Sequence, residues 1–103
     1  MHQLIADKQA EIEAICRKYK VARLEIFGSA ARSTDFDPDK SDADFLVEYQ
    51  PPLLPGMADR YFGMFQELST ELGRKVDLLS IGSIRNPYLK QSIDEDRKVI
   101  YEA

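Results

Sequence analysis

Met57, Tyr61, Phe65, Leu68 and Leu72 recur at spacings of four, four, three and four, and no other segment narrows the possible folds as much. Those intervals place five apolar side chains on one stripe of an α-helix. Pro55-Gly56 marks a loop before the stripe and Gly73 supplies a cap after it. Both flanks have the character of strands. Asp44 to Tyr49 is stopped by Pro51-Pro52, and Lys75 to Ile81, KVDLLSI, has an apolar centre interrupted only by Asp77. Strand, helix and strand in that order predict an α/β architecture.

The same succession extends outward. From Gln3 to Tyr19 the residues Leu4, Ile5, Ile12, Ile15, Cys16 and Tyr19 fall mostly on one stripe and predict one amphipathic helix. Val21 to Phe27 alternates, with Leu24 and Ile26 opposite Arg23, Glu25 and Phe27, and ends at Gly28. The small residues Gly28 to Arg32 suit a short helix that starts directly at the strand end, before a polar loop from Ser33 to Ser41. Asn86-Pro87 predicts a helix start, cap followed by proline, with the helix running to about Glu95 and a short strand closing the chain at Val99 to Tyr101. At 103 residues, with neither repeat nor linker, residues 1–103 are expected to form one domain with one core.

Composition bounds the function. A formal charge of −4 argues against nucleic-acid binding by the whole surface, because phosphate contacts need clustered cations. No apolar run approaches the ~20 residues that span a bilayer, and acidic residues interrupt the N-terminal MHQLIADKQAEIEAI where a signal peptide would be apolar. A cytoplasmic location is the expectation. The single cysteine, Cys16, excludes an internal disulfide and a cysteine metal cluster, and is expected to pack in the core.

The candidate chemistry lies in DPDKSDADFLVE, Asp37 to Glu48. Counted from Asp37 it imitates a calcium loop, but Asp42 stands at the sixth position, where that loop needs glycine, and Phe45 to Tyr49 is strand-like where a helix should leave. Counted from Ser41 it gives Asp42 and Asp44 entering a strand, where side chains two apart share a face. Carboxylates that close repel, a cost that a divalent cation between them removes. Asp77 would be costly to bury unless paired or metal-bound; the plainer alternative is an edge-strand residue facing water. Oxygen ligands without cysteine or histidine favour a hard cation such as magnesium. Gly28-Ser29, at the start of a helix, suits a phosphate close to the backbone. Two cations on such a cluster could activate an attacking oxygen and stabilise a leaving pyrophosphate.

FGSAAR, SDADFLV and VDLL together resemble the minimal nucleotidyltransferases of the polymerase β-like superfamily, and RNPYLKQSIDEDRKVIYE is similar to that family's C-terminal segment. The resemblance implies a small mixed sheet flanked by helices. Its stand-alone members are typically antitoxins paired with a HEPN-domain ribonuclease toxin, and the implied reaction is transfer of AMP from ATP to a toxin tyrosine. By the same resemblance Asp42, Asp44 and Asp77 would ligate two Mg2+ ions, with Asp77 assisting deprotonation of the attacking hydroxyl. Gly28 and Ser29 would hold the β and γ phosphates and Arg32 would add a contact. Ser33 follows Arg32 where glycine is frequent in the family. The alternatives are an antitoxin that neutralises by binding alone, and a nucleotidyltransferase acting on RNA or a small molecule.

Overall fold

The structure, a computed structural model, describes residues 3–28, 43–51, 56–80 and 86–103. The expected N-terminal helix is two helices, α1 (Gln3–Asp7) and α2 (Gln9–Lys18). The break is at Lys8, whose N–H bonds the Ile5 carbonyl at 3.1 Å, one residue nearer than an α-helix requires. The helix resumes when the Ile12 N–H reaches the Lys8 carbonyl at 2.9 Å. Apolar periodicity could not register the break, because Ile5, Ile12 and Cys16 are buried against the same core on either side of it.

Four strands, β1 (Val21–Phe27), β2 (Ala43–Tyr49), β3 (Val76–Ser80) and β4 (Lys98–Glu102), form one sheet in the order β3-β2-β1-β4. β1 runs antiparallel to both β2 and β4, while β2 and β3 are parallel. Parallel neighbours need a crossover, and the long apolar-striped helix α3 (Met57–Leu72) supplies it. Gly73 caps α3 in the left-handed conformation, φ 64°, as the sequence predicts. The buried line of α3 is Met64, Leu68 and Leu72; Tyr61 and Phe65 pack beside it, so the face is rotated toward Met64 from the predicted centre. Phe62 points away and is 66% exposed.

α2 and α3 cover one sheet face, where Leu24, Ile26, Phe45, Val47, Val76 and Leu78 meet Ile12, Cys16, Met64 and Leu68. Glycine at residue 63 permits this approach, since a Cβ there would stand 2.8 Å from the Tyr19 ring and would have to push it aside. A bulge between Val21 and Arg23 inserts one extra residue into β1, which returns Val21 to the core face alongside Leu24 and Ile26. No described helix is long and apolar enough to cross a membrane.

On the other face, β2 presents Asp44, Leu46 and Glu48, the positions that alternate with its core residues. The last helix, α4 (Pro87–Asp96), starts as predicted, with the Asn86 side chain accepting from the Tyr88 and Leu89 N–H groups at 2.9 and 3.3 Å. Ile93 of α4 and Leu46 of β2 are buried, 3% and 1% exposed, apart from the main core cluster. Glu25, which the alternation sets opposite Leu24 and Ile26, is register partner to Leu46 and only 2% exposed.

Candidate active site

The C-terminal end of β1 and the N-terminal ends of β2 and β3 meet at one edge of the fold. Gly28 leaves β1 with φ 73°, a conformation that costs a side-chain-bearing residue energy. A Cβ on Gly28 would lie 2.6 Å from Oδ2 of Asp44 and 3.6 Å from its Cγ. The missing side chain therefore serves two ends, a turn and a close approach of carboxylate to backbone.

Asp44 is register partner to Phe27 on β1 and to Asp77 on β3. Register partners share a sheet face, and neighbouring strands are about 4.8 Å apart, so the two carboxylates are side by side. Asp44 is half-buried. Asp77 is exposed, on the edge strand, between the buried Val76 and Leu78. Asp77 therefore faces water on the edge strand, as the plainer alternative has it, and no burial cost arises: alternation sends the apolar neighbours inward and the carboxylate outward. What singles out Asp77 is its place beside Asp44, a relation that no single strand's sequence carries.

Ser29, Arg32 and Asp42 lie outside the described residues, as does the predicted short helix after Gly28. Gly28, Asp44 and Asp77 are thus the members of the predicted set that can be located, and they come together. Among the described residues no group of three histidine, cysteine or acidic side chains is arranged to hold a metal ion. The hydrogen bond from the Ala43 N–H to the Lys75 carbonyl, 3.2 Å, fixes the backbone that directly follows Asp42.

A second polar group occupies the same face. Arg23 Nη2 donates to Glu25 Oε1 at 2.8 Å, and Arg97 Nε lies 3.6 Å from Glu25 Oε2. Arg97 Nη1 also meets Asp94 Oδ1 at 3.2 Å. Lys90 donates to Asp94, and that bond, more than any other influence, holds the Asp94 carboxyl below its ordinary pKa. Sequence reasoning missed this cluster because an acidic residue at an alternating strand position has the pattern of a solvent-facing one. A groove between α2 and α3, lined by Glu11, Tyr19, Gly63, Glu67 and Glu71, lies on the helical side and contains none of the predicted site residues.

The sequence matches the nucleotidyltransferase domain family over residues 10–100. The chain belongs to that family. A relative from Methanocaldococcus jannaschii, named "Putative protein adenylyltransferase MJ0128", is 47% identical over 81 residues, which cover 77% of this chain and 76% of the relative. The solved "Structure of putative minimal nucleotidyltransferase" superposes with a TM-score of 0.73 at 21% identity over 95% of both chains. The MNT antitoxin complex with the tri-AMPylated Shewanella oneidensis HEPN toxin gives a TM-score of 0.64 at 20% identity, over 95% of this chain and 72% of the other. At those identities the two structures establish the fold of this nucleotidyltransferase. It is the mixed four-stranded sheet flanked by helices that the sequence resemblance implied.

Proposed function

We propose that this chain is a protein adenylyltransferase that acts as an antitoxin, moving AMP from ATP to a tyrosine hydroxyl of a HEPN-domain ribonuclease toxin. The observation that carries the reading is the in-register pair Asp44 and Asp77 beside a glycine turn that admits a carboxylate to van der Waals distance. The name of the Methanocaldococcus relative and the AMPylated toxin in the Shewanella complex support the choice of protein acceptor.

The carboxylate pair fits magnesium, since both donors are hard oxygens and their mutual repulsion falls when a divalent cation lies between them. Asp44 and Asp77, with Asp42, would hold two Mg2+ ions, which when bound neutralise phosphate charge and lower the pKa of a coordinated hydroxyl. In the proposed reaction the tyrosine oxygen attacks the α-phosphorus of ATP and forms a new P–O bond. The bond from that phosphorus to the bridging oxygen of the β-phosphate breaks, and pyrophosphate leaves with the electron pair. The phenolic proton passes to Asp77, the more exposed carboxylate. Gly28 and Ser29 accommodate the β and γ phosphates, and Arg32 adds charge to that end. The whole reaction is assigned to one domain.

Intact-mass measurement of the toxin after incubation with this protein, ATP and magnesium tests the proposal. AMP-sized increments are expected, and they should vanish with Asp44→Asn. A toxin of unchanged mass would sink the catalytic reading. Full neutralisation by the variant lacking Asp42, Asp44 and Asp77 would favour neutralisation by binding alone.

A further inference from the structure

Glu25 is a carboxylate that the reaction above does not use, yet it is buried to 3% side-chain exposure on the face that carries Asp44 and Asp77. Burying a charge is expensive unless it is paired, and breaking such a pair costs more than making it gains. Glu25 has two arginines for one negative charge. Arg23 closes a hydrogen bond to Oε1, whereas Oε2 has none among the described residues and faces Arg97 Nε across 3.6 Å. Toward Glu25 the second arginine is therefore held by attraction without a hydrogen bond, while its Nη1 pairs with the more exposed Asp94 at 3.2 Å.

Arg97 is still about one-third exposed, and its position gives that exposure a use. The β1–β4 ladder begins with Ile26 opposite Lys98, so one further step of the register sets Arg97 level with Phe27. Phe27 is the partner of Asp44, and Asp44 of Asp77. Asp77, Asp44, Phe27 and Arg97 thus form one row across the sheet, beside Gly28. With strands about 4.8 Å apart, Arg97 starts about 10 Å from Asp44, a gap comparable to a polyphosphate chain. The face has an anionic half suited to cations and a flank where two guanidinium groups share one buried carboxylate.

Resting on the nucleotidyl-transfer reading, we propose that Arg97 binds the polyphosphate of the incoming nucleotide and the pyrophosphate that leaves, and that Glu25 is its positioning residue. Arginine suits the task because its planar fork can meet two phosphate oxygens at once, which lysine cannot. Glu25 sets the direction of the guanidinium through Nε and keeps the two arginines from repelling one another.

Calorimetric titration with magnesium pyrophosphate, with magnesium α,β-methylene-ATP and with 5′-AMP tests this without any toxin. Arg97→Ala should weaken the first two ligands by about tenfold, the scale of one charge-assisted hydrogen bond, and leave 5′-AMP unchanged. Arg97→Lys, which keeps the charge and stem, should lose less and serves if the alanine variant does not fold. Glu25→Gln should lose less than Arg97→Ala, and the double variant should be no weaker than Arg97→Ala alone. A folded Arg97→Ala protein that binds pyrophosphate as tightly as the wild type would overturn the role of Arg97. Losses from Glu25→Gln that add to those from Arg97→Ala would overturn the positioning role of Glu25. A wild-type chain that binds neither magnesium ligand would overturn the nucleotidyl-transfer reading as well.

Discussion

The backbone of Gly28 lies against the carboxylate of Asp44, so close that a β-carbon on residue 28 would stand 2.6 Å from Oδ2. Gly28→Ala must therefore displace the carboxylate and also adopt φ 73°, which costs about 1–2 kcal/mol for a residue with a side chain. The expected result is a lower melting temperature together with loss of AMP transfer. Transfer that survives in the alanine variant would show that the position of Asp44 at this turn does not matter.

Asp44→Asn and Asp77→Asn keep shape and remove charge. Each should reduce AMP transfer at least about 100-fold, as loss of one electrostatic contact to a transition state does. Asp77→Asn should leave thermal stability unchanged or slightly higher, because it removes a like charge beside Asp44 from an exposed strand position. Mass spectrometry of the toxin and a thermal melt read the two effects separately.

Stability should fall at alkaline pH. Burial, reinforced by Glu13 and opposed by Arg17, raises the Cys16 thiol from 9.0 to about 12. Burial, reinforced by Tyr61 and Cys16 and opposed by Arg60, raises the Tyr49 phenol from 10.0 to about 12. Both folded values exceed the unfolded ones, so the folded chain retains protons that the unfolded chain has released. Their contribution is fully present below about pH 9 and is lost as pH rises toward 12. Melts across that window should show the decline, and Cys16→Ala should flatten part of it. At pH 8 the folded protein should also resist alkylation by iodoacetamide until it is unfolded.

Arg60 reaches three backbone carbonyls, those of Tyr19, Lys20 and Gln50, at 3.1, 2.8 and 3.1 Å. Its guanidinium also stands 5.0 Å from the centre of the Tyr49 ring. It ties the α2–β1 turn to the end of β2 from its place on α3. Arg60→Ala should cost about 2 kcal/mol in urea unfolding, with Arg60→Lys recovering little of it, because an ammonium cannot serve three carbonyls and stack on a ring.

Features that depend on one segment were legible in the sequence. The α3 stripe, its Gly73 cap, the Asn86-Pro87 start of α4 and the buried Cys16 each follow from local spacing or local chemistry. Features that depend on what lies opposite were not. The bulge in β1 shifts the alternation by one residue, and only the pairing with Tyr49 and Glu48 reveals it. Glu25 is buried because α4 and Arg97 come back over it from the far end of the chain. Met64 sits deeper than the four-four-three-four count implies, because a helical count knows nothing of the surface beneath. Of the candidate site, the residue types were legible, while the side-by-side placement of Asp44 and Asp77 came from the β2–β3 register.

That register has a consequence for the chain as it is made. Asp44 and Asp77 are separated in sequence by the whole of α3, and their strands can pair only after that crossover has docked. The central strand β1, meanwhile, receives its second neighbour from β4, the last strand in sequence order. Neither half of the chain contains the carboxylate pair, and closing such long loops is paid for before any contact rewards it. On the proposed reading, a nascent chain therefore has no carboxylate pair until β3 has followed α3 and docked beside β2.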